Sequence, residues 1–350
     1  MIRPPLAFAI PGDIATLTGG YIYERRLLEG LRAAGHDMRH LELPAGFPDP
    51  SDAAMAAAVA ALERVPPARP VILDGLVFGS IDPAGLARMR APVVAMIHHP
   101  LAHETGLTPA RRDRLLRTER ANLRLARHVL VPSPHTRRIL VRDYAVPPGA
   151  ISVIRPGTDR PRRPPRPQQP PLILAVGILH PRKGHDVLIA ALARLADRDW
   201  QAVIVGNPWD RDHAEALARQ CRASPVAGRI TLAGRVSDDA LQDLYARSHV
   251  FALATRYEGH GIVFDEALAR GLPIVSCAAG AVPDTVPPGA GLLVPPGDAG
   301  AFAGALRRVL ADPGRHARMA AAAQAAGACL PGWPDMARRA SLVLTGLFGR

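Results

Sequence analysis

The sequence predicts an α/β protein of two doubly wound, Rossmann-like domains facing a cleft, and three observations carry that prediction. The chain has 350 residues, more than one ordinary hydrophobic core organises. Short apolar, β-branched runs alternate with helical stretches almost from end to end, the pattern of βαβ units and parallel sheets. The alternation halts once, in the proline- and arginine-rich stretch Pro156 to Pro171, and then restarts. The expected organisation is a first domain over 1–160, a linker over 161–171 and a second domain over 172–330. A C-terminal helix within 331–350 is expected to pack back toward the first domain.

In the first half the strands are expected at Leu6–Ile10, Met38–Leu43, Val71–Asp74, Val93–Ile97, Val129–Val131 and Ile151–Ile154. Helices lie between them at 19–34, 51–64, 109–127 and 134–142. In the second half the strands fall at Leu172–Val176, Ala202–Val205, Ile230–Ala233, Val250–Ala254, Ile274–Ser276 and Leu292–Val294. Helices are expected at 185–196, 211–222, 237–247, 262–270 and 299–311, and from 314 to the end. In open α/β sheets ligands bind beyond the carboxyl ends of the strands, so the loops that follow strands hold the candidate site.

Hydrophobic residues make up 48% of the chain, the share of a folded globular protein. No apolar run approaches the ~20 residues of a membrane span. Leu6–Ile10 is too short for a signal-peptide core. Cys221, Cys277 and Cys329 form neither a disulfide framework nor a metal-ligand spacing. These features predict a cytoplasmic protein. The net charge of +12 admits nucleic acid, an anionic membrane face or phosphorylated substrates. Aromatic residues at 4% leave few platforms for stacking bases, and the charge is spread along the chain, so no nucleic acid is expected. Arg117, Arg120, Arg124 and Arg127 form a basic stripe on the 109–127 helix, which suits peripheral contact with an anionic membrane at the inner face of the cell. Of 43 basic residues one alone, Lys183, is lysine.

Three stretches carry chemistry. In the first, a buried strand ends at Gly177, and Arg182-Lys183-Gly184 follow a short loop and precede a helix. Two adjacent cations beside a glycine make a clamp for a pyrophosphate. In the second, Glu258 lies in the loop after a strand and Glu266 within the next helix, with Gly259 and Gly261 keeping the loop thin. Glu266 shares its helix with Ala267 and Leu268, so it is partly buried and needs a partner, a role that ribose hydroxyls would fill. In the third, Gly280, Ala281 and Val282 follow a buried strand and offer free backbone amides of the kind that bind phosphate.

Together these stretches resemble the donor half of family-4 glycosyltransferases of the GT-B fold. The matching residues are Arg182-Lys183-Gly184, Glu258 and Glu266, Gly280-Ala-Val-Pro283, and Gly291-Leu-Leu-Val-Pro-Pro-Gly-Asp298. Ala233-Gly-Arg-Val236 is similar to the family's base-site turn, which implies that Arg235 and Val236 flank the nucleobase. In the first half Gly19-Gly20 resembles the opening glycine loop. Val93 to His99 resembles the strand whose terminal histidine reaches the transferred sugar, a place filled by His98, with His99 as runner-up. Ile178 stands where the family commonly has arginine, Asp284 where it often has glutamate and His260 where phenylalanine is common.

The resemblance implies a retaining transferase that needs no metal and no resident cofactor, its nucleotide sugar being a co-substrate. The donor set is then Gly20, Arg182, Lys183, Arg235, Val236, Glu258, Gly261, Ile262, Val263, Glu266, Gly280, Ala281 and Val282. His98, Glu258, Arg182 and Lys183 carry the chemistry. A departing diphosphate gathers negative charge, and one well-placed donor there is worth about 3–4 kcal/mol. Asp-x-Asp pairs at Asp197/Asp199 and Asp210/Asp212 lie in turns without a donor pattern, and His98, His99, His103 and Glu104 lack the spacing of a helical zinc site. An epimerase- or phosphorylase-like enzyme of the same fold, and a non-catalytic relative that binds a nucleotide sugar, are the competing readings. The acceptor is not specified by the sequence.

Overall fold

The computed structural model describes residues 3–349. Two compact units divide the chain, one running to Gly157 and resuming at Pro331, the other spanning Thr158–Leu330. In the first unit the order is β1 (Leu6–Pro11), α1 (Gly19–Ala33), β2 (Met38–Leu43), α2 (Asp52–Glu63), β3 (Val71–Asp74), α3 (Gly75–Phe78), α4 (Pro83–Ala87), β4 (Val93–Met96), α5 (Pro109–Leu123), β5 (His128–Val131), α6 (Pro134–Tyr144) and β6 (Ile151–Val153). The second holds β7 (Leu172–Val176), α7 (His185–Ala193), β8 (Gln201–Val205), α8 (Arg211–Ala223), β9 (Ile230–Gly234), α9 (Asp238–Arg247), β10 (Val250–Leu253), α10 (Ile262–Ala269), β11 (Ile274–Cys277), α11 (Val282–Thr285), β12 (Gly291–Val294), α12 (Ala299–Ala311) and α13 (Pro313–Ala328). The last helix, α14 (Trp333–Phe348), returns to the first unit.

Among the described residues each unit has one parallel sheet of six strands. The first runs β2-β1-β3-β4-β5-β6 and the second β12-β11-β10-β7-β8-β9. Strand order reverses between β1 and β3 in the first and between β7 and β10 in the second, and a doubly wound sheet opens a crevice at such a point. Most inner strands are covered by helices on both faces, and in β1, β3, β4, β5, β10 and β11 every residue is buried. Each fully buried Leu, Ile, Val or Phe contributes about 1.5–3 kcal/mol over its exposed state.

The expected strands all form, within a residue or two of their predicted ends. Caps explain several helix starts that periodicity alone leaves vague: Thr18, Ser51, Thr108, Ser133, Ser237 and Asp298 each accept a backbone N–H of the first turn. Three departures matter. The helix expected at 109–127 ends at Leu123, so Arg124 caps it and Arg127 lies beyond, its N–H given to the Val93 carbonyl. The four-residue α3, the five-residue α4 and the four-residue α11 are too short to leave a periodic signal. The Pro/Arg-rich segment, expected to be an unpacked linker, lies along α9. Its backbone donates from Arg166 to Ala246 and from Gln168 to Arg247, and its arginines reach Asp238, Asp239 and Asp243. Proline removes helix and sheet pairing, but extended backbone between prolines still bonds to a neighbour.

In the first unit α14 packs on α1. A Cβ added at Gly30 would stand 2.4 Å from the Ala337 Cβ, so the glycine is what lets the helices approach. His36 Nε2 meets Ser341 Oγ at 2.8 Å, and the Arg26 guanidinium sits 5.5 Å over the Trp333 ring. No helix among the described residues is long and apolar enough to cross a membrane.

Candidate functional site

In the second unit the loops after β7 and β10, the strands that flank the switch point, bring together residues read separately in the sequence. A single 3-10 turn, Pro181–Lys183, ends at Gly184 in the left-handed region, φ +65°. A Cβ there would fall 1.9 Å from the Ala254 carbonyl oxygen, so only glycine fits. The turn lays the Lys183 stem across Gly177, where an added Cβ would meet Lys183 Cδ at 3.3 Å. Lys183 Nζ then donates to Glu258 Oε1 at 2.5 Å. Arg182 Nη1 stands 3.7 Å from Glu258 Oε2 and donates to the Tyr257 carbonyl at 3.2 Å. Burial alone would raise the Glu258 carboxyl, which is 4% exposed, but Lys183 first and Arg182 second outweigh it and hold the group below its usual range.

The two loops are tied to each other. Thr255 Oγ1 lies 3.1 Å from both the Arg182 carbonyl oxygen and Glu258 Oε1, and the Arg256 N–H donates to the Arg182 carbonyl at 2.8 Å. The Arg256 guanidinium grips Asp186 with two bonds, 2.9 and 2.6 Å. His185, fully buried and pushed down to about 4 by desolvation, contacts the Gly177 carbonyl through Nε2 at 3.1 Å. Sequence reading missed Thr255, Arg256, Asp186 and His185, because none belongs to a recognisable motif and each acts only through the fold.

The glycine turn after β11 differs from expectation. Gly280 has φ +56°, and an added Cβ would stand 2.3 Å from the Glu258 carbonyl oxygen, so the turn is seated on the Glu258 backbone. Two of the amides thought free have protein acceptors: Ala281 N–H donates to the Glu258 carbonyl at 2.8 Å and Val282 N–H to the Ala279 carbonyl at 3.1 Å. Helix α11 that follows is a single turn with Pro283 near its start, so it presents little of a helix N-terminus. Of the three amides expected to form a cradle, those of Ala281 and Val282 are thus engaged within the protein, and the turn also supports Glu258.

Glu266 is partly buried as expected, and a protein group is already its partner: Tyr245 O–H donates to Oε2 at 2.7 Å. Burial raises its carboxyl above the usual range. Gly261, at φ +88°, caps α10, and Ile262 and Val263 open that helix, where first-turn amides lack an intrahelical acceptor. Arg235 is exposed and Val236 half-buried beyond the end of β9. Ile178 is half-buried in the β7 loop. His260, at the family's phenylalanine position, is buried and meets Asp265 Oδ2 through Nε2 at 2.5 Å.

In the first unit Gly20 stands against His98, with an added Cβ 3.6 Å from the imidazole Cδ2. Two buried carboxyls that sequence reading missed stand behind His98: Glu24 on α1, 1% exposed, and Asp74 at the end of β3, 4% exposed. Glu24 Oε1 lies 3.1 Å from His98 Nε2, and the three side chains each bring one ligand-type atom within 4.8 Å of the other two. Asp74 Oδ1 accepts the N–H groups of Leu76 and Val77 at 2.8 and 3.2 Å, capping α3. Among the described residues this is the only group of three such side chains whose ligand-type atoms lie within 4.8 Å of one another. His99 pairs instead with Glu104 at 3.1 Å, and His103 stands 3.8 Å from Asp143. The Asp-x-Asp pairs are spent elsewhere, Asp197 on Arg307 and Asp210 on capping α8.

Comparison with known proteins agrees with this geometry. The family model of glycosyl transferases group 1 matches residues 158–326, and that of glycosyltransferase family 4 matches 76–162. A D-inositol 3-phosphate glycosyltransferase of Xylanimonas cellulosilytica is 35% identical over 220 residues, 57% of this chain and 52% of its own. The MMP alpha-(1->4)-mannosyltransferase of Mycolicibacterium hassiacum is 30% identical over 289 residues, 77% of this chain and 68% of its own. The chain spans about half the length of several curated relatives that it matches. Among solved structures, a sucrose-phosphate synthase from Thermosynechococcus elongatus superposes with a TM-score of 0.85 at 26% identity over 99% of both chains. At 18% identity an Anabaena protein, HepE, solved with UDP-glucose, shares the fold with a TM-score of 0.79 over 97% of this chain and 100% of its own. Motifs, sheet order and relatives converge: the chain belongs to glycosyltransferase family 4, of the GT-B fold.

Proposed function

We propose that the protein is a retaining glycosyltransferase that moves a sugar from a nucleoside-diphosphate donor to an acceptor hydroxyl without a metal ion or resident cofactor. The observation that carries this reading is the cluster of Lys183, Arg182 and Glu258 at the switch point of the second sheet. Charge develops in two places during glycosyl transfer, negative on the departing diphosphate and positive on the sugar. A pair of cations beside a carboxylate kept ionised by those same cations meets both demands. Lys183 and Arg182 hold the diphosphate, Glu258 faces the sugar, and Glu266 with Tyr245 takes the ribose. Gly20 and His98 act on the sugar and acceptor side.

Relatives named for GDP-mannose and for phosphatidylinositol mannosides fit a donor of this class and an anionic acceptor. Arg117, Arg120 and Arg124 are exposed on and just after α5, where an anionic acceptor or membrane face would find them. Titration of a nucleoside diphosphate by calorimetry, with and without excess chelator, tests the metal-free part. Affinity should be unchanged, and a tenfold loss on chelation would overturn it. A panel of nucleotide sugars, read first by thermal shift and then by transfer, tests the activity.

A further inference from the structure

Glu24 and Asp74 sit at the switch point of the first sheet, Asp74 on its flanking strand β3 and Glu24 on the helix that follows β1. They are buried, and the charged or ionisable groups that face them are few. Tyr21 and Tyr23 lie beside Glu24 on α1, and Asp13 after β1 acts on Tyr21. From the end of β4 comes His98 itself, its ring edge-on to Tyr23 at 5.3 Å. On the α6 side Thr136 Oγ1 donates to the His98 carbonyl at 3.2 Å. Two carboxyls buried this deeply and with oxygens within 4.8 Å of each other do not both carry charge, so one of them keeps a proton. Asp74 accepts two backbone N–H groups, which favours the charge there and leaves the proton on Glu24. Glu24 Oε1 is then a plain acceptor at 3.1 Å from His98 Nε2. The hydrogen bond at one ring nitrogen of a histidine fixes what the other can do.

We propose that Glu24 and Asp74 are positioning residues that share one proton and hold His98 as the neutral Nε2–H tautomer, so that its Nδ1 meets the substrate as a hydrogen-bond acceptor. The chain runs from His98 Nε2–H to Glu24 and from the Glu24 O–H to Asp74, whose charge rests on the Leu76 and Val77 amides. Of the three side chains the imidazole is the exposed one, at 22% against 1% for Glu24. It presents a lone pair to a sugar or acceptor hydroxyl in place of a second N–H. This rests on the sugar-transfer reading for its consequence, though the tautomer itself can be read without any activity.

The direct test is a two-bond nitrogen–proton correlation spectrum of the full chain labelled with 15N-histidine, with His98 assigned by its loss in His98→Gln. The Nε2–H form is expected at pH 7. Glu24→Gln is the discriminating variant, because an amide copies a protonated carboxyl and not a carboxylate. It should keep the tautomer and hold turnover within about threefold, whereas Glu24→Ala should lose the tautomer and lower kcat by about tenfold or more with KM little changed. A Glu24→Gln as damaged as Glu24→Ala would overturn the proposal, as would an Nδ1–H or charged His98 in the wild type. A stoichiometric shift of the His98 signals by micromolar Zn²⁺ or Mn²⁺ would also overturn it by showing a metal site instead. If Glu24→Ala does not fold, the wild-type and Glu24→Gln spectra still decide. Absence of any transfer activity would refute the sugar-transfer reading and leave the tautomer result standing.

Discussion

Lys183→Arg keeps the charge and follows the chain's own preference, yet it should damage the protein's activity. Every other basic residue of the 43 is arginine, so composition alone would predict a neutral change. The structure predicts otherwise. The lysine side chain is 12% exposed, runs over Gly177 within 3.3 Å of where a Cβ would be, and ends 2.5 Å from a carboxyl that is itself 5% exposed. Arginine brings a planar group in place of a single ammonium, into a turn closed behind by Gly184 against Ala254. Overpacking of this kind costs about 1–3 kcal/mol. Arg182 already occupies the other side of Glu258, so a second guanidinium has no clear approach to the same carboxylate.

If half of the upper figure falls on the transition state, turnover drops by roughly tenfold, a loss of ~1.4 kcal/mol. Lys183→Ala is the companion variant. It leaves Glu258 buried with only the longer Arg182 contact and Thr255, and breaking one partner from a buried pair costs about 3–5 kcal/mol. The assay is initial-rate transfer with the best donor of the panel, beside thermal denaturation to separate lost folding from lost chemistry. Full activity in Lys183→Arg would refute the reasoning, since it would mean that any cation on this turn serves and that the lone lysine carries no geometric meaning.

Further outcomes are expected. Glu258→Ala should cut turnover by ~10²-fold or more while diphosphate binding falls far less, and Glu266→Ala should weaken binding instead; calorimetry and rates on both variants check the assignment, which fails if both behave as wild type. Glu119, fully buried on α5 with burial pushing it up to about 8 from 4.5, binds its proton more tightly folded than unfolded. Stability from that group is therefore present below about 4.5 and lost as pH rises to about 8, at close to 1.4 kcal/mol per pH unit. Melting curves of Glu119→Gln across that window should fall less steeply than those of wild type, and an unchanged slope would sink the claim. Co-sedimentation with anionic vesicles at low salt, lost at high salt, would support a role for Arg117, Arg120 and Arg124 in membrane contact, and no binding at low salt removes it.

What the sequence disclosed and what it withheld divide along a physical line. Most inner strands were legible because both faces of each parallel sheet are covered there, so a strand such as β1 or β10 is a short apolar run between turn residues. Arg182, Lys183 and Glu258 were legible as residues because their chemistry is written in short local patterns. That Lys183 is bonded to Glu258 was not, because 75 residues separate them and only the pairing of β7 with β10 brings their loops together. The same limit explains the glycine turn at 280. Its amides look open in the sequence, yet Ala281 is committed to the carbonyl of Glu258, a partner no local pattern reveals.

Glu24 and Asp74 show the limit most sharply. Asp74 reads as an ordinary strand-end residue and an N-cap, which it is, and Glu24 as one polar residue on a helix. Neither signals function until β1, β3 and β4 lie side by side and put both behind His98. An isolated buried acid is costly and therefore conspicuous, but two acids that share a proton satisfy each other and leave no mark in the sequence. The histidine that sequence patterns find is thus only the exposed end of a device whose working parts are buried and distant in the chain, and its tautomer belongs to the fold rather than to any motif.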